Sequence, residues 1–290
     1  MTSRLAGAST SLALLATHPL GAGEPAAPAD PESLARQHVD VADMLAMRER
    51  TERRLASEDD PTTFRRFRTL ALSFTSTTAY PRPFVDAAFD ARITAPDGVT
   101  YDLPGYYDGD GRWRIRFMPY REGAYTYRTT CSDTANTGLH GRSGSFTVGP
   151  ALPETALSRH GGHLRASADG SHLTHTDGTP FFWLADTWWF VPSRRMPYDS
   201  SPHPGASSMY QLCVALRKKQ RFNFITAGFL GEWPDLQPDP AVPEQRGFHG
   251  RDGLYHVERW QEKACAAWRT VDRYFVYADE AGMGISLNMV

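Results

Sequence analysis

The feature that most restricts the fold is a change of hydrophobic period partway along the chain. From Phe64 to about Val148 apolar side chains recur at every second position: Leu70, Leu72, Phe74; Phe89, Ala91, Ile93; Trp113, Ile115, Phe117; Tyr125, Tyr127; Phe146, Val148. Turn sequences punctuate these runs, with APDG at 95–98, DGDG at 108–111 and REG at 121–123. A period of two places alternate side chains on opposite faces of a strand. Short alternating strands at about ten-residue spacing predict an antiparallel Ig-like β-sandwich over 64–150.

From Gly178 the pattern differs. FFWLA (181–185), FNFITAGFL (222–230) and GISLNMV (284–290) are apolar runs without alternation. Between them lie two stretches of helical period, with Met209, Leu212, Cys213 and Leu216 on one predicted face and Ala264, Trp268, Val271, Phe275 and Ala278 on another. Strand, helix, strand, helix, strand, with strands apolar on both faces, predicts parallel βαβ units over 160–290. A Pro/Gly-rich loop over 231–255 separates the second strand from the second helix.

The N-terminal part divides into a leader over 1–29 and a helical segment over 30–60. Arg4, the stretch LAGASTSLALLA and Ala27-Pro28-Ala29 have the order of a secretory signal, although Gly, Ser and Thr dilute its apolar part; a disordered Ala/Pro-rich leader fits the same residues. Asp30 and Pro31 suit a helix start, and Leu34, Val41 and Leu45 share a face. The charged run RERTERRLASEDD reads as solvated.

A net charge of −2 among 31 basic and 33 acidic residues provides no basic face for nucleic acid. No apolar run of about 18 residues predicts a membrane span. The cysteines Cys131, Cys213 and Cys265 are far apart and read as free thiols. His160, His163, His172 and His175 have HxxH spacing, but they fall in a predicted hairpin with Asp-Gly turns. Residues three apart on a strand point to opposite faces, so no metal site and no cofactor are predicted. No feature of the sequence bears on oligomeric state.

The stretch 105–148 resembles the Ig-like DUF5060 domain that precedes bacterial and fungal glycoside hydrolases. GGHLRASADGSHLTHTDGTPFFWLADTWWF (161–190) resembles the opening of the DUF4038, apiosidase-like (β/α)8 barrel, and FNFITAGFLGEW (222–233) resembles its second strand and loop. The resemblance implies a multidomain chain: a sandwich, then the first part of a TIM-type barrel of about three strands, acting on a plant or microbial polysaccharide outside the cytoplasm. A complete barrel needs eight strands and about 250 residues. The family's catalytic carboxylates follow later strands, so no acid or nucleophile is assigned, and the 290-residue chain is expected to be inactive alone. The alternative is a non-catalytic carbohydrate-binding or interaction fragment.

Side chains just past the C-terminal ends of barrel strands line the active site. Asp186 and Glu232 are expected there, with Trp188, Trp189 and Trp233 beside them. Carboxylates accept hydrogen bonds from sugar hydroxyls, and indoles cover the C–H faces of pyranose rings. The competing readings are Asp186 as a cap, the tryptophans as core, and Asp186 with Glu232 as a catalytic pair.

Overall fold

The computed structural model describes residues 39–152, 160–189, 191, 196–201, 208–229 and 262–289. The leader, Asp30, Pro31 and Leu34, the loop over 231–255, and both Glu232 and Trp233 lie outside the described residues. The described part is mostly β-sheet, with three α-helices.

Helix α1 (Val41–Ala56) starts at Asp40, whose Oδ1 accepts from the backbone N–H of Ala42 at 2.9 Å and Asp43 at 3.1 Å. This satisfies two of the amide donors a helix leaves free at its start. The buried face is Met44, Met47 and Thr51, whereas Leu45 is 48% exposed. Thr51 tolerates burial because its hydroxyl donates to the Met47 carbonyl at 2.9 Å.

Seven strands follow in two antiparallel sheets. They are β1 (Leu70–Thr75), β2 (Phe89–Thr94), β3 (Thr100–Pro104), β4 (Tyr106–Tyr107), β5 (Arg112–Phe117), β6 (Gly123–Cys131) and β7 (Ser143–Val148). One sheet has the order β1-β5-β4 and the other β3-β2-β6-β7. Inward-facing Leu70, Phe74, Phe89, Ile93, Trp113, Ile115, Tyr125, Phe146 and Val148 form one shared core. Its rings meet mostly edge to face, as Phe74 on Phe89 at 5.3 Å, the arrangement the ring quadrupole favours. The Tyr125 hydroxyl keeps a polar partner by donating to the Arg121 carbonyl at 2.9 Å. Gly138 lies so close to β1 that a Cβ there would sit 2.0 Å from the Thr75 carbonyl oxygen, so only glycine fits.

A small antiparallel sheet of β8 (Arg165–Ala166), β9 (Leu173–Thr174) and β10 (Pro180–Phe181) comes next. The turns between them carry Gly170 at φ 71° and Gly178 at φ 88°. The last unit is a parallel sheet of β11 (Ala185–Trp188), β12 (Phe224–Phe229) and β13 (Gly284–Met289), connected by α2 (Met209–Lys219) and α3 (Glu262–Glu280). The first parallel strand is therefore shifted from the predicted 181–185. Asn223 breaks the apolar run: its side chain accepts from Leu184 N–H at 2.9 Å and donates to the Phe182 carbonyl at 2.6 Å.

The predicted faces only partly coincide with the buried ones: Leu212, Cys213 and Leu216 of α2 pack partly buried against the core and Ala278 of α3 is fully buried, but other positions go deepest. Tyr210, Gln211 and Val214 are buried on α2, and Cys265, Tyr274, Tyr277 and Ala278 on α3. Tyrosine reads as a surface residue, yet its ring packs as an aromatic. Here Tyr198, Tyr210, Tyr274 and Tyr277 form one cluster with Met44 and Met47 of α1. The Tyr210 hydroxyl donates to the Tyr274 carbonyl at 2.8 Å.

The charged run is solvated only in part: Glu49 and Arg53 are exposed, whereas Arg54 and Glu58 are not. Glu280, at the end of α3 and 6% exposed, takes Arg68 at 2.8 Å and Arg54 and Arg50 each at 3.3 Å. Glu58, also 6% exposed, pairs with Arg116 at 3.0 Å, and Arg116 reaches Asp272 of α3 at 2.6 Å. Guanidinium forks suit such shared carboxylates because each presents several donors in one plane. Removing the charge from Glu280 strands Arg68, which is 17% exposed, and leaves Arg54 with Asp279 alone. Glu280→Gln is therefore expected to cost about 3 kcal/mol, the cost of breaking a buried ion pair. Urea denaturation measures it, and a loss below about 1 kcal/mol, the scale of an exposed pair, would show that water compensates the arginines.

Candidate functional site

Two faces of the parallel sheet have different chemistry. Residues 186, 188, 225 and 227 face the helices, where Ile225 and Ala227 are buried with Tyr210 and Tyr277. By strand alternation, residues 185, 187, 189, 224, 226, 228, 284 and 286 face the other way.

Asp186 and Trp188 belong to the helix face, so Asp186 lies inside β11 and not beyond its end. A single carboxylate oxygen of Asp186, Oδ2, accepts from Arg217 Nε of α2 at 2.6 Å and from Trp188 Nε1 at 2.6 Å. Trp188 is 6% exposed and meets the Tyr210 ring edge-on at 5.9 Å. The Arg217 guanidinium also lies 5.4 Å over the Phe222 ring and donates to Gln220 at 2.7 Å. Asp186 thus joins the strand, the helix and an indole at one point. Nothing in the sequence pattern flagged Arg217, which sits in the basic run RKK at the end of α2.

The opposite face is layered. At its N-terminal end Phe224 stacks on Trp183, with ring centroids 3.8 Å apart, and Phe181 meets Phe224 edge-on at 5.9 Å. The Phe224 ring lies over Gly284, where a Cβ would come within 2.4 Å of it. In the middle, register aligns Thr187 with Thr226 and Thr226 with Ser286, which places three hydroxyls in one row. At the C-terminal end Trp189 lies over Gly228, whose Cβ position is 3.0 Å from the indole. Trp189 is 46% exposed, and Thr187 is exposed as well. The face is therefore an aromatic floor, a row of hydroxyls that both donate and accept, and an indole at the rim.

Of the five residues singled out in the sequence, the structure brings Asp186 and Trp188 together on the helix side and leaves Trp189 alone on the open side. The hydroxyl row was missed because the strands read as apolar on both faces. The alternation in FITAGF, with Thr226 and Gly228 between Ile225 and Ala227, is the signal that locates it. His160 and His175 stack at 3.9 Å, and His160 pairs with Asp177 at 2.9 Å. No group of His, Cys, Asp and Glu suited to a metal occurs among the described residues, the three cysteines form no disulfide, and no described helix is long and apolar enough to cross a membrane.

Comparison with known families gives two matches. A model described as a domain of unknown function, DUF5060, matches residues 63–132, and one described as an apiosidase-like catalytic domain matches residues 167–290. A crystal structure of a "putative glycoside hydrolase" from Bacteroides vulgatus ATCC 8482 shares the fold, with a TM-score of 0.54 at 21% identity over 77% of this chain. The chain spans 40% of the length of that structure. No curated protein matches the chain.

Burial works to raise the Asp186 pKa, but the hydrogen bonds from Arg217 and Trp188 outweigh it and hold the carboxyl below its ordinary value. A depressed folded pKa stabilises the fold above the unfolded carboxylate pKa of about 3.9 and loses that contribution as pH falls through the folded value. The stability difference between the wild type and Asp186→Asn should therefore be constant above about pH 5 and shrink below about pH 4. Chemical denaturation of both proteins between pH 3 and 7 checks this, and a difference independent of pH would mean that the charge contributes nothing.

Proposed function

We propose that the chain is the N-terminal portion of a glycoside hydrolase, in which the open face of the parallel sheet forms one wall of the saccharide site. The observation that carries this reading is the rim-and-row arrangement of Trp189, Thr187, Thr226 and Ser286, inside the segment matched by the apiosidase-like catalytic model. Active sites of parallel barrels lie at the C-terminal ends of the strands, which is where Trp189 stands. On this reading β11 to β13 with α2 and α3 are the opening part of a (β/α)8 barrel, and the aromatic floor is its plugged N-terminal end. β1 to β7 are an Ig-like sandwich. The Tyr125 hydroxyl, closing on the backbone four residues upstream, supports this as the tyrosine corner of such sandwiches. The substrate is a plant or microbial polysaccharide, met outside the cytoplasm.

Asp186 then acts as a positioning residue: it holds Trp188 against α2 and so fixes the end of the strand that Trp189 follows. It is the one carboxylate of the three strands and faces the helices, so bond cleavage is not assigned to it. Glu232 and Trp233, in the loop after β12, are proposed to complete the saccharide-binding wall.

The test has two parts. Tryptophan fluorescence is titrated with neutral oligosaccharides, and reducing ends are measured after incubation with plant and microbial polysaccharides. A pyranose face covering roughly 50 Å² of indole is worth about 1.3 kcal/mol at about 25 cal/mol per Å². Trp189→Ala should therefore weaken binding about tenfold, while the 290-residue chain releases no reducing ends. Release by this chain that Asp186→Asn or Glu232→Gln abolishes would overturn the assignment and make those carboxylates catalytic.

A further inference from the structure

A second cavity, of about 440 Å³, lies at the seam between the two-sheet unit and the small sheet β8–β10. None of its lining residues belongs to the parallel sheet. Its walls come from the 66–67 turn, the β2–β3 region, the segment between β5 and β6, and residues 161–165. Three features set it apart from an ordinary packing gap.

The first is its aromatic wall. Phe67, Tyr101 and Tyr120 line it, with Phe67 and Tyr120 edge to face at 6.3 Å and the His163 ring 5.0 Å from Tyr120. Phe67 is held at φ 62°, a left-handed conformation that a bulky side chain adopts only under constraint. Its N–H is anchored on the Pro119 carbonyl at 2.9 Å. The second feature is charge. Arg66, Arg121 and Arg165 line the cavity against one carboxylate, Asp97, which Arg121 already engages at 3.2 Å. Arg66 has only a long contact to Glu122 at 3.9 Å and lies 4.8 Å over the Phe67 ring. The third is unmet hydrogen-bonding capacity. His163 Nε2 and Arg66 Nε are buried and have no partner. They are two of eleven such side-chain atoms among the described residues, and the two that belong to the lining of this cavity.

From this arrangement we infer that the seam cavity is a second saccharide site, specific for an acidic sugar unit such as a uronate. The aromatic rings cover the C–H faces of a pyranose, and the guanidinium groups of Arg66 and Arg165 bind its carboxylate, a pairing that planar forks favour. The His163 ring backs the Tyr120 side of the wall, and burial lowers its pKa, which keeps the imidazole neutral. The volume lies within the range of small-ligand sites and suits one or two sugar rings. Gly161 at φ 74° and Gly162 at φ 149° let the backbone form the mouth without side chains. The choice of a saccharide rests on the glycoside-hydrolase reading; the presence of the site does not.

The experiment is calorimetric titration of the full chain with trigalacturonate, cellotriose and inorganic phosphate at low and moderate salt. Trigalacturonate should bind at least tenfold tighter than cellotriose and than phosphate, and more weakly as salt rises. Arg165→Ala, at an exposed position that leaves the core intact, should weaken it about tenfold or more, since a hydrogen bond to a charged group is being lost. Tyr120→Ala should do the same, and Trp189→Ala should leave it unchanged. Should Tyr120→Ala fail to fold, Arg165→Ala decides alone. No binding of trigalacturonate, or binding that Arg165→Ala leaves intact, overturns the site. Phosphate binding as tight as trigalacturonate reduces it to an adventitious ion only. Loss of trigalacturonate binding in Trp189→Ala would instead place the acidic sugar on the open face and leave the first reading standing without the second.

Discussion

The buried carboxylate of Glu280 is the point on which the arrangement of the molecule depends. It closes α3, and the arginines it accepts come from α1 and from the turn that leads into β1. Glu58 and Asp272 repeat the motif through Arg116 of β5. An ion pair taken out of water gains little unless its remaining donors are also satisfied. Sharing one carboxylate among several guanidiniums meets that condition. It also sets orientation in a way that apolar contact alone does not, because a guanidinium fork fits a carboxylate in few geometries. The two-sheet unit and the parallel unit are thus fixed to each other through a helix that belongs to neither sheet.

Two other places in the structure have the chemistry of a ligand site. The parallel sheet keeps one face for the helices and presents the other as hydroxyls between an aromatic floor and a single indole. The cavity beside β8–β10 keeps two buried nitrogens without partners while rings and guanidinium groups surround them. Both places combine flat apolar surfaces with directional polar groups, the combination that suits a ligand with a C–H face and a hydroxylated rim.

Much of this was legible in the residues. The alternation in LALSFT, FDARIT and RWRIRF predicts strands because one face must enter a core, and those strands are present. The parallel strands near 225 and 285 follow from their length and apolar character. Less legible were features that depend on distant partners. Tyr210, Gln211, Tyr274 and Tyr277 read as surface residues, and only the neighbouring helices give them an interior. The run RERTERRLASEDD reads as solvated until Asp279 and Glu280, more than 200 positions later, pair with its Arg54. Asp186 drew attention as a carboxylate beside tryptophans; its bond to Arg217 lies 31 positions away and carries no local signal. Phe181 to Leu184 is an apolar run divided by function: part of it joins a hairpin, part packs as a floor, and Asn223 fixes the boundary.

The place of α1 has a consequence for how the chain acquires its structure. Arg50 and Glu280 are 230 positions apart, so this contact closes one of the longest loops available to the chain. The strands of the two-sheet unit meet neighbours a few tens of residues away, and contacts of low sequence separation form first. During synthesis the first described helix is therefore the last to find its site. Met44 and Met47 can meet α2 earlier but reach their full burial only once α3 has left the ribosome, and throughout that interval the nascent chain offers an incompletely covered, arginine-rich helix to whatever chaperone or surface it meets.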